Sequence, residues 1–428
     1  MNSAERNATL RLWCAVFVLF AASLGWAQAP AGPPAKITDL RPTVILISID
    51  GYRWDYPDKY PSPNIQALIR GGVRAEMIPS FPTKTFPNHY TLVTGLYPGN
   101  HGIVANNMWD DTLQARFTMS NRAAVTDARW WGGEPIWVTA RKQGQKAAAM
   151  FWPGSEAPIG GHYPDYWRKF QDDLPHTERI SWILEQFHRP GAERPTFTTL
   201  YFSDVDHAGH DFGPGTDEVR QAVQRVDAAL GELIKGLRAR GIFEQVNLIV
   251  VADHGMASVS NTGQIFLDDY VDPATVQVVD WSPVLAIKAR DGDHEALLQK
   301  LKKAPHLTMY RKHELPARYH YSRHPRVTPL IGVADPGWTI TTRKRAAERS
   351  NPERGTHGYD PALRDMHAAF IAHGPNFKPG AKLNPFENVH VYAAMAHILG
   401  LQPAKNDGDV KVLQKVMRRP KLHAAAAR

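Results

Sequence analysis

Thr43–Gly51 reads TVILISIDG, an apolar run interrupted only by Ser48 before Asp50-Gly51 turns the chain. A run of this kind is what a strand covered on both faces requires, and burial of both faces belongs to a parallel sheet. Lys146–Phe151 (KAAAMF), Thr196–Phe202 (TFTTLYF), Val246–Val251 (VNLIVV) and Ala368–Ala372 (AAFIA) repeat the pattern. Between two of them, Glu218–Ala239 carries apolar residues at helical spacing. The strand-helix-strand rhythm predicts an α/β fold with a mostly parallel central sheet flanked by helices.

Residues 265–345 break the rhythm. Val276–Val279 and Val284–Ile287 are short apolar runs, Asp293–Lys303 is helix-like, and a Pro- and Tyr-rich segment follows. A small inserted α+β lobe is expected there, within a core of 41–264 and 346–414. The 428 residues suffice for one large domain with such a lobe, or for two to three average domains. Hydrophobic residues at 43% and charged residues at 21% exclude disorder as the main state. One cysteine, Cys14, excludes a disulfide scaffold. The formal charge of +8 suits anionic substrates. Its only dense cluster is Lys415, Arg418, Arg419 and Lys421 in a basic tail, 415–428, so no nucleic-acid duplex partner is expected.

Residues 1–29 read as a secretory signal peptide. Arg6 and Arg11 precede the apolar Leu12–Trp26, and Ala27-Gln28-Ala29 offers a cleavage site. The apolar run is shorter than the ~20 residues of a spanning helix. The mature chain is therefore expected in a bacterial periplasm without a stable membrane span, following a linker at 30–40. An uncleaved N-terminal anchor is the alternative.

Three strands run into acidic and histidine residues. TVILISI meets Asp50, VNLIVV leads to Asp253-His254, and TFTTLYF leads to Asp206 and His210. Ligands in open α/β sheets sit at the carboxyl ends of strands. A helical turn after Asp206 would put Asp206 and His210 on one face. Asp253-His254 supplies adjacent O and N donors of the kinds zinc takes. His357 lies on the glycine-flanked loop Gly355-Thr356-His357-Gly358. His89, His162, His188, His207 and His294 read as surface or packing residues.

The segment Pro79–Gly95, PSFPTKTFPNHYTLVTG, predicts a helix over 86–94 ending at Gly95. Thr85 then stands at a helix N-terminus, where free N–H groups and the dipole favour an oxyanion. Its hydroxyl is either a nucleophile, which needs metal assistance, or simply an N-cap.

Together these motifs resemble the nucleotide pyrophosphatase/phosphodiesterase family of the alkaline phosphatase superfamily, over about Thr43 to Leu401. The blocks that carry the resemblance are Ser48–Gly51, Pro82–His89, Gly102–Met108, Asp206–His210, Ala252–Met256 and Gly355–Tyr359, with Glu314–Tyr321 in the lobe. The resemblance implies an alkaline-phosphatase-like fold and two zinc ions. One would take Asp206, His210 and His357; the other would take Asp50, Asp253, His254 and the Thr85 oxygen. It also implies that Thr85 attacks phosphorus, that a nucleotidyl-threonine forms, and that water then releases a nucleoside 5'-monophosphate. Asn106 matches a donor to a phosphoryl oxygen, with an ordinary turn residue as the other reading. Phe86, Phe170 and Tyr201 fall where relatives stack on a base, with core packing as the alternative. The chain looks like a bare bacterial catalytic domain. A choline-type or lysophospholipid head-group phosphodiesterase would share every metal ligand. An inactive metal-bound binding protein would be expected to have lost a ligand, and none is lost.

Overall fold

The computed structural model describes residues 34–260, 262–349 and 353–418. The expected signal peptide or anchor, Cys14, the first four residues of the linker and the tail from Arg419 onward lie outside them. No helix among the described residues is long and apolar enough to cross a membrane.

Eight strands form the main sheet. They are β1 (Thr43–Ile49), β2 (Val73–Ile78), β3 (Ala147–Met150), β4 (Tyr166–Arg168), β5 (Phe197–Phe202), β6 (Val246–Val251), β7 (Ala368–His373) and β8 (Phe386–Glu387). Their order is β8-β2-β7-β6-β1-β5-β3-β4. β1 is parallel to both neighbours, with Ile47 opposite Val250 and Leu200. Every residue of β1 and β6 is buried, which explains their unbroken apolar character. The helix His390–Leu399 packs on β1, and the long helix Asp217–Ala239 packs on His176–Gln186 and Pro63–Arg70. Asp217 and Glu218 in its first turn complement the helix dipole.

The sheet is mixed at one place. β7 runs antiparallel to both β6 and β2, whereas the other pairings are parallel. The run AAFIA therefore signalled a buried strand correctly but not its direction, because burial alone leaves direction open. β2, VRAEMI, alternates buried and half-buried residues, so no continuous run advertised it.

A separate antiparallel sheet follows the order Val276–Asp280, Val284–Ala289, Leu330–Ala334, Leu307–Arg311. Its strands alternate between two cores. Leu285 and Ile287 join Leu297, Leu298 and Leu301 of the helix His294–Leu301 in one cluster. Val284, Ala286, Ile331 and Val333 belong instead to the main cluster beneath the large sheet. Each fully buried Leu or Ile contributes about 1.5–3 kcal/mol relative to exposure. The small sheet is thus fixed to the main core through one face. That seating delivers Asp280, at the end of its first strand, to the region of Thr85.

Candidate metal centre and active site

The carboxyl ends of β1, β5 and β6 lie side by side, so Asp50, Asp206 and Asp253 converge. The turn after β5 is the helix Asp204–Phe212, which puts Asp206 and His210 on one face with Oδ1 and Nε2 3.5 Å apart. His357 Nε2 stands 3.7 Å from the same Asp206 oxygen. Asp206, His210 and His357 form one group whose ligand atoms could surround a cation. On the other side, His254 Nε2 lies 3.5 Å from Asp50 Oδ1, 2.9 Å from Asp253 Oδ2 and 3.3 Å from Thr85 Oγ1. The His254 and His357 rings stack at 3.4 Å between centroids, joining the two halves.

The hydrogen bonds fix which nitrogens face inward. Nδ1 of His210, His254 and His357 lies 3.0, 2.9 and 2.9 Å from the carbonyls of Gly355, Gly255 and Thr83. A carbonyl only accepts, so each Nδ1 donates outward and each Nε2 is the nitrogen that faces the site, free to bind a cation when it carries no proton. Three imidazole nitrogens thus face three carboxylates. Asp50 Oδ1 and Asp206 Oδ1 are buried with no hydrogen-bond partner among the described residues, and the buried Asp253 Oδ2 faces the imidazoles of His254 and His89. Orphaned acceptors of this kind are costly unless something positive meets them.

The charges register the same strain. Burial, and then the charges of Asp253 and Asp206, push the Asp50 carboxyl well above its ordinary range. Burial acts in the same sense on Asp253, but His254 and His89 outweigh it and hold that carboxyl well below. Burial and the neighbouring His254 and His210 push His357 well down. The donor set, O and N atoms only, fits a pair of borderline divalent cations such as zinc.

Thr85 opens the helix Thr85–Thr94, which ends at Gly95 in the left-handed region, φ 65°. The residue in the capping position is Lys84, and no side chain caps the helix. The N-cap reading of Thr85 is therefore corrected: it is the first helical residue, and its hydroxyl points to His254 instead. Asn106 Oδ1 accepts the Phe86 N–H at 2.9 Å. That bond fixes the amide's orientation and leaves its NH₂ group for another acceptor.

Tyr201, Phe86 and Phe170 surround a cavity of about 240 Å³ that also touches Asp50, Thr85 and Trp152. The Tyr201 hydroxyl donates to Asp50 Oδ2 at 2.7 Å, so this residue orients a carboxylate as well as lining the cavity. Phe170 is 40% exposed and packs edge-on against Phe151. Phe86 packs edge-on against Phe117.

Two residues escaped the sequence reading. The expectation of a surface or packing residue holds for His89 only as packing: it is fully buried, and its Nδ1 also reaches the Thr85 carbonyl at 2.9 Å and Asp253 Oδ2 at 3.3 Å. Its Nε2 meets Ser48 Oγ at 2.8 Å. Its position four residues after Thr85 on a helix was the available signal. Asp280 binds Lys84 Nζ at 2.5 Å and Asn107 Nδ2 at 2.8 Å, so one carboxylate holds the neighbours of both Thr85 and Asn106. Nothing local marks it, because 196 residues separate it from Lys84.

The model of the family described as type I phosphodiesterase / nucleotide pyrophosphatase matches residues 44–360. The ectonucleotide pyrophosphatase/phosphodiesterase family member 3 of Rattus norvegicus is 38% identical over 393 residues, 89% of this chain and 44% of that protein. A venom phosphodiesterase of Macrovipera lebetinus is 38% identical over 420 residues, 95% of this chain and 48% of that protein. The chain spans about half the length of the curated relatives it matches. Human ectonucleotide pyrophosphatase/phosphodiesterase 5 superposes with a TM-score of 0.84 at 35% identity, over 88% of this chain and all of that one. An inactive Thr-to-Ala form of the murine protein, in complex with AMP, gives 0.83 at 36%, with the same coverage of each chain.

Proposed function

The chain belongs to the type I phosphodiesterase / nucleotide pyrophosphatase family, and on that footing we propose that it is a two-zinc hydrolase of nucleotide phosphodiesters. Nucleoside triphosphates and related nucleotide diesters would yield nucleoside 5'-monophosphates through a nucleotidyl-threonine at Thr85. One observation carries the reading: three buried carboxylates, two of them with an oxygen that has no hydrogen-bond partner among the described residues, and three histidine Nε2 atoms converge beside a threonine at a helix N-terminus.

Asp206, His210 and His357 would hold one ion, and Asp50, Asp253, His254 and the Thr85 oxygen the other. When bound, such a pair supplies Lewis-acid stabilisation of the oxygens that carry charge in an in-line displacement. The chain's own residues do the rest. Thr85 Oγ1 gives its proton to solvent, the resulting charge meets the positive end of its helix, and the oxygen bonds to phosphorus as the leaving oxygen departs with the electron pair of its own bond. Asn106, held by the Phe86 N–H, offers its NH₂ to a phosphoryl oxygen. Water then bonds to phosphorus, and the Thr85 oxygen departs and regains its proton. Phe86, Phe170 and Tyr201 offer the faces on which a base would stack. AMP in the murine relative and the name of the matched family support this choice of substrate class.

The test is a substrate panel on purified protein of measured metal content. The expected result is cleavage of a nitrophenyl ester of thymidine monophosphate well above nitrophenyl phosphocholine, loss with a chelator, and recovery with zinc better than with magnesium. Faster cleavage of the phosphocholine ester, or full activity without metal, would overturn the proposal. Export to a periplasm is part of it, supported by the pattern at 1–29 and tested by N-terminal sequencing of fractionated cells.

A further inference from the structure

The phosphodiesterase reading, on which this inference rests, leaves open which residue distinguishes one departing group from another. Thr85 and Asp206 line two cavities at once. One is the aromatic cavity of Phe86, Trp152, Phe170 and Tyr201. The other, about 680 Å³, is walled by Asn107, Trp281, Thr341 and Arg345 and reaches His210 and His357. In an in-line displacement the attacking and leaving oxygens lie on opposite sides of phosphorus. With a flat base in the aromatic cavity, the departing group enters the second one.

The second cavity is rich in positive charge. Lys84, Arg345, Arg349 and Arg354 line it, against Asp206, Asp280 and Glu353. Lys84 is bound to Asp280 at 2.5 Å, and Arg349 lies 3.5 Å from Glu353. Arg345 differs. Its backbone N–H is capped by Thr342 Oγ1 at 3.3 Å, and its guanidinium lies over the Trp281 ring at 4.3 Å from the centroid. Among the described residues, no carboxylate lies within ion-pair distance of it, and Glu348 is the one acidic group whose charge reaches it. Arg345 is exposed, and partial desolvation together with the like charges of Arg349 and Arg116 disfavours its cation. A planar fork of N–H donors, held on a tryptophan and lacking an acceptor, suits paired phosphate oxygens.

We infer that Arg345 is a specificity-determining residue that binds the departing phosphate chain, and that it sets how far this site prefers nucleotide phosphoanhydrides over diesters whose departing group carries no phosphate. Diesters with neutral alcohol leaving groups would gain nothing from it.

The experiment compares the zinc-loaded full chain with Arg345→Ala and Arg345→Lys on two substrates. ATP releases pyrophosphate, whereas the nitrophenyl ester of thymidine monophosphate releases nitrophenolate, which carries no phosphate oxygens for a guanidinium fork. A charge-assisted bond to phosphate sets the expected scale. Arg345→Ala should lower kcat/KM for ATP about 10- to 100-fold more than for the nitrophenyl ester, and Arg345→Lys should recover part of the difference. Added salt should shrink the wild-type preference for ATP. Equal losses on both substrates, or unchanged ATP kinetics, would overturn this inference alone. A wild type that cleaves neither substrate would overturn the phosphodiesterase reading, and this inference with it.

Discussion

Asp280→Ala should destabilise the protein out of proportion to the size of the side chain. Lys84 and Asp280 are each only 6% exposed in their side chains and 2.5 Å apart. Removing the carboxylate leaves an ammonium buried beside Thr85 and takes away the Asn107 acceptor at 2.8 Å. Breaking one side of a buried pair costs about 3–5 kcal/mol, chiefly through the uncompensated charge. Unfolding entropy is about 2.1 cal/mol/K per residue, hence roughly 0.9 kcal/mol/K for a chain of 428 residues. The shift in Tm is then about 3–6 °C. Differential scanning calorimetry of Lys84→Met, of Asp280→Leu and of Lys84→Met/Asp280→Leu closes a double-mutant cycle. The double variant should recover at least half of the loss, since it buries no unpaired charge. If Asp280→Ala shifts Tm by less than about 1 °C, or if the two single losses simply add, the pair is not coupled as its geometry says.

Thr85→Ala should reduce turnover by several orders of magnitude while metal content and Tm hold, and Thr85→Ser should keep measurable activity; single-turnover kinetics on the nitrophenyl nucleotide decide the matter. Tyr201→Phe keeps the ring but removes the donor to Asp50 Oδ2, so zinc affinity should fall about 10- to 100-fold with KM little changed, as read by competition with a chelator. Burial, reinforced by the charges of His324 and Arg326, pushes His101 down to about 3. The unfolded chain takes up that proton from about pH 6.5, so stability is full above 6.5 and falls toward pH 3 by up to ~1.4 kcal/mol per unit. Urea unfolding between pH 4 and 6 should therefore show one proton fewer in the slope for His101→Gln, and an unchanged slope would refute the assignment.

What the sequence disclosed follows from which signals are local. β1 and β6 were legible because both faces are buried and every residue must be compatible with that. Asp50, Asp253 and His254 were legible because they end those strands. The helix after β5 was legible as a condition on Asp206 and His210, four residues apart. β7 showed its burial but hid its direction, and β2 hid behind alternation. Asp280 and the hydroxyl of Tyr201 could not be placed, because their partners are brought near only by the seating of one sheet on another. His89 hid in plain view, one of 19 histidines with no local mark apart from its spacing from Thr85.

The carbonyls that orient His210, His254 and His357 have a consequence for how such a centre can vary over evolutionary time. A supporting aspartate or glutamine can be lost by one codon change; a main-chain oxygen cannot. Two of the three belong to Gly255 and Gly355, where an added Cβ would come within 2.1 Å of the Asp365 carbonyl and 2.3 Å of the Gly209 carbonyl. Those positions are closed to side chains, and the Thr83 oxygen is offered whatever residue stands there. Drift in imidazole orientation therefore requires an insertion, a deletion or a displaced loop rather than a point substitution. The surrounding cavities can consequently be redecorated, residue by residue, to accept new substrates while the ligand geometry is inherited unchanged.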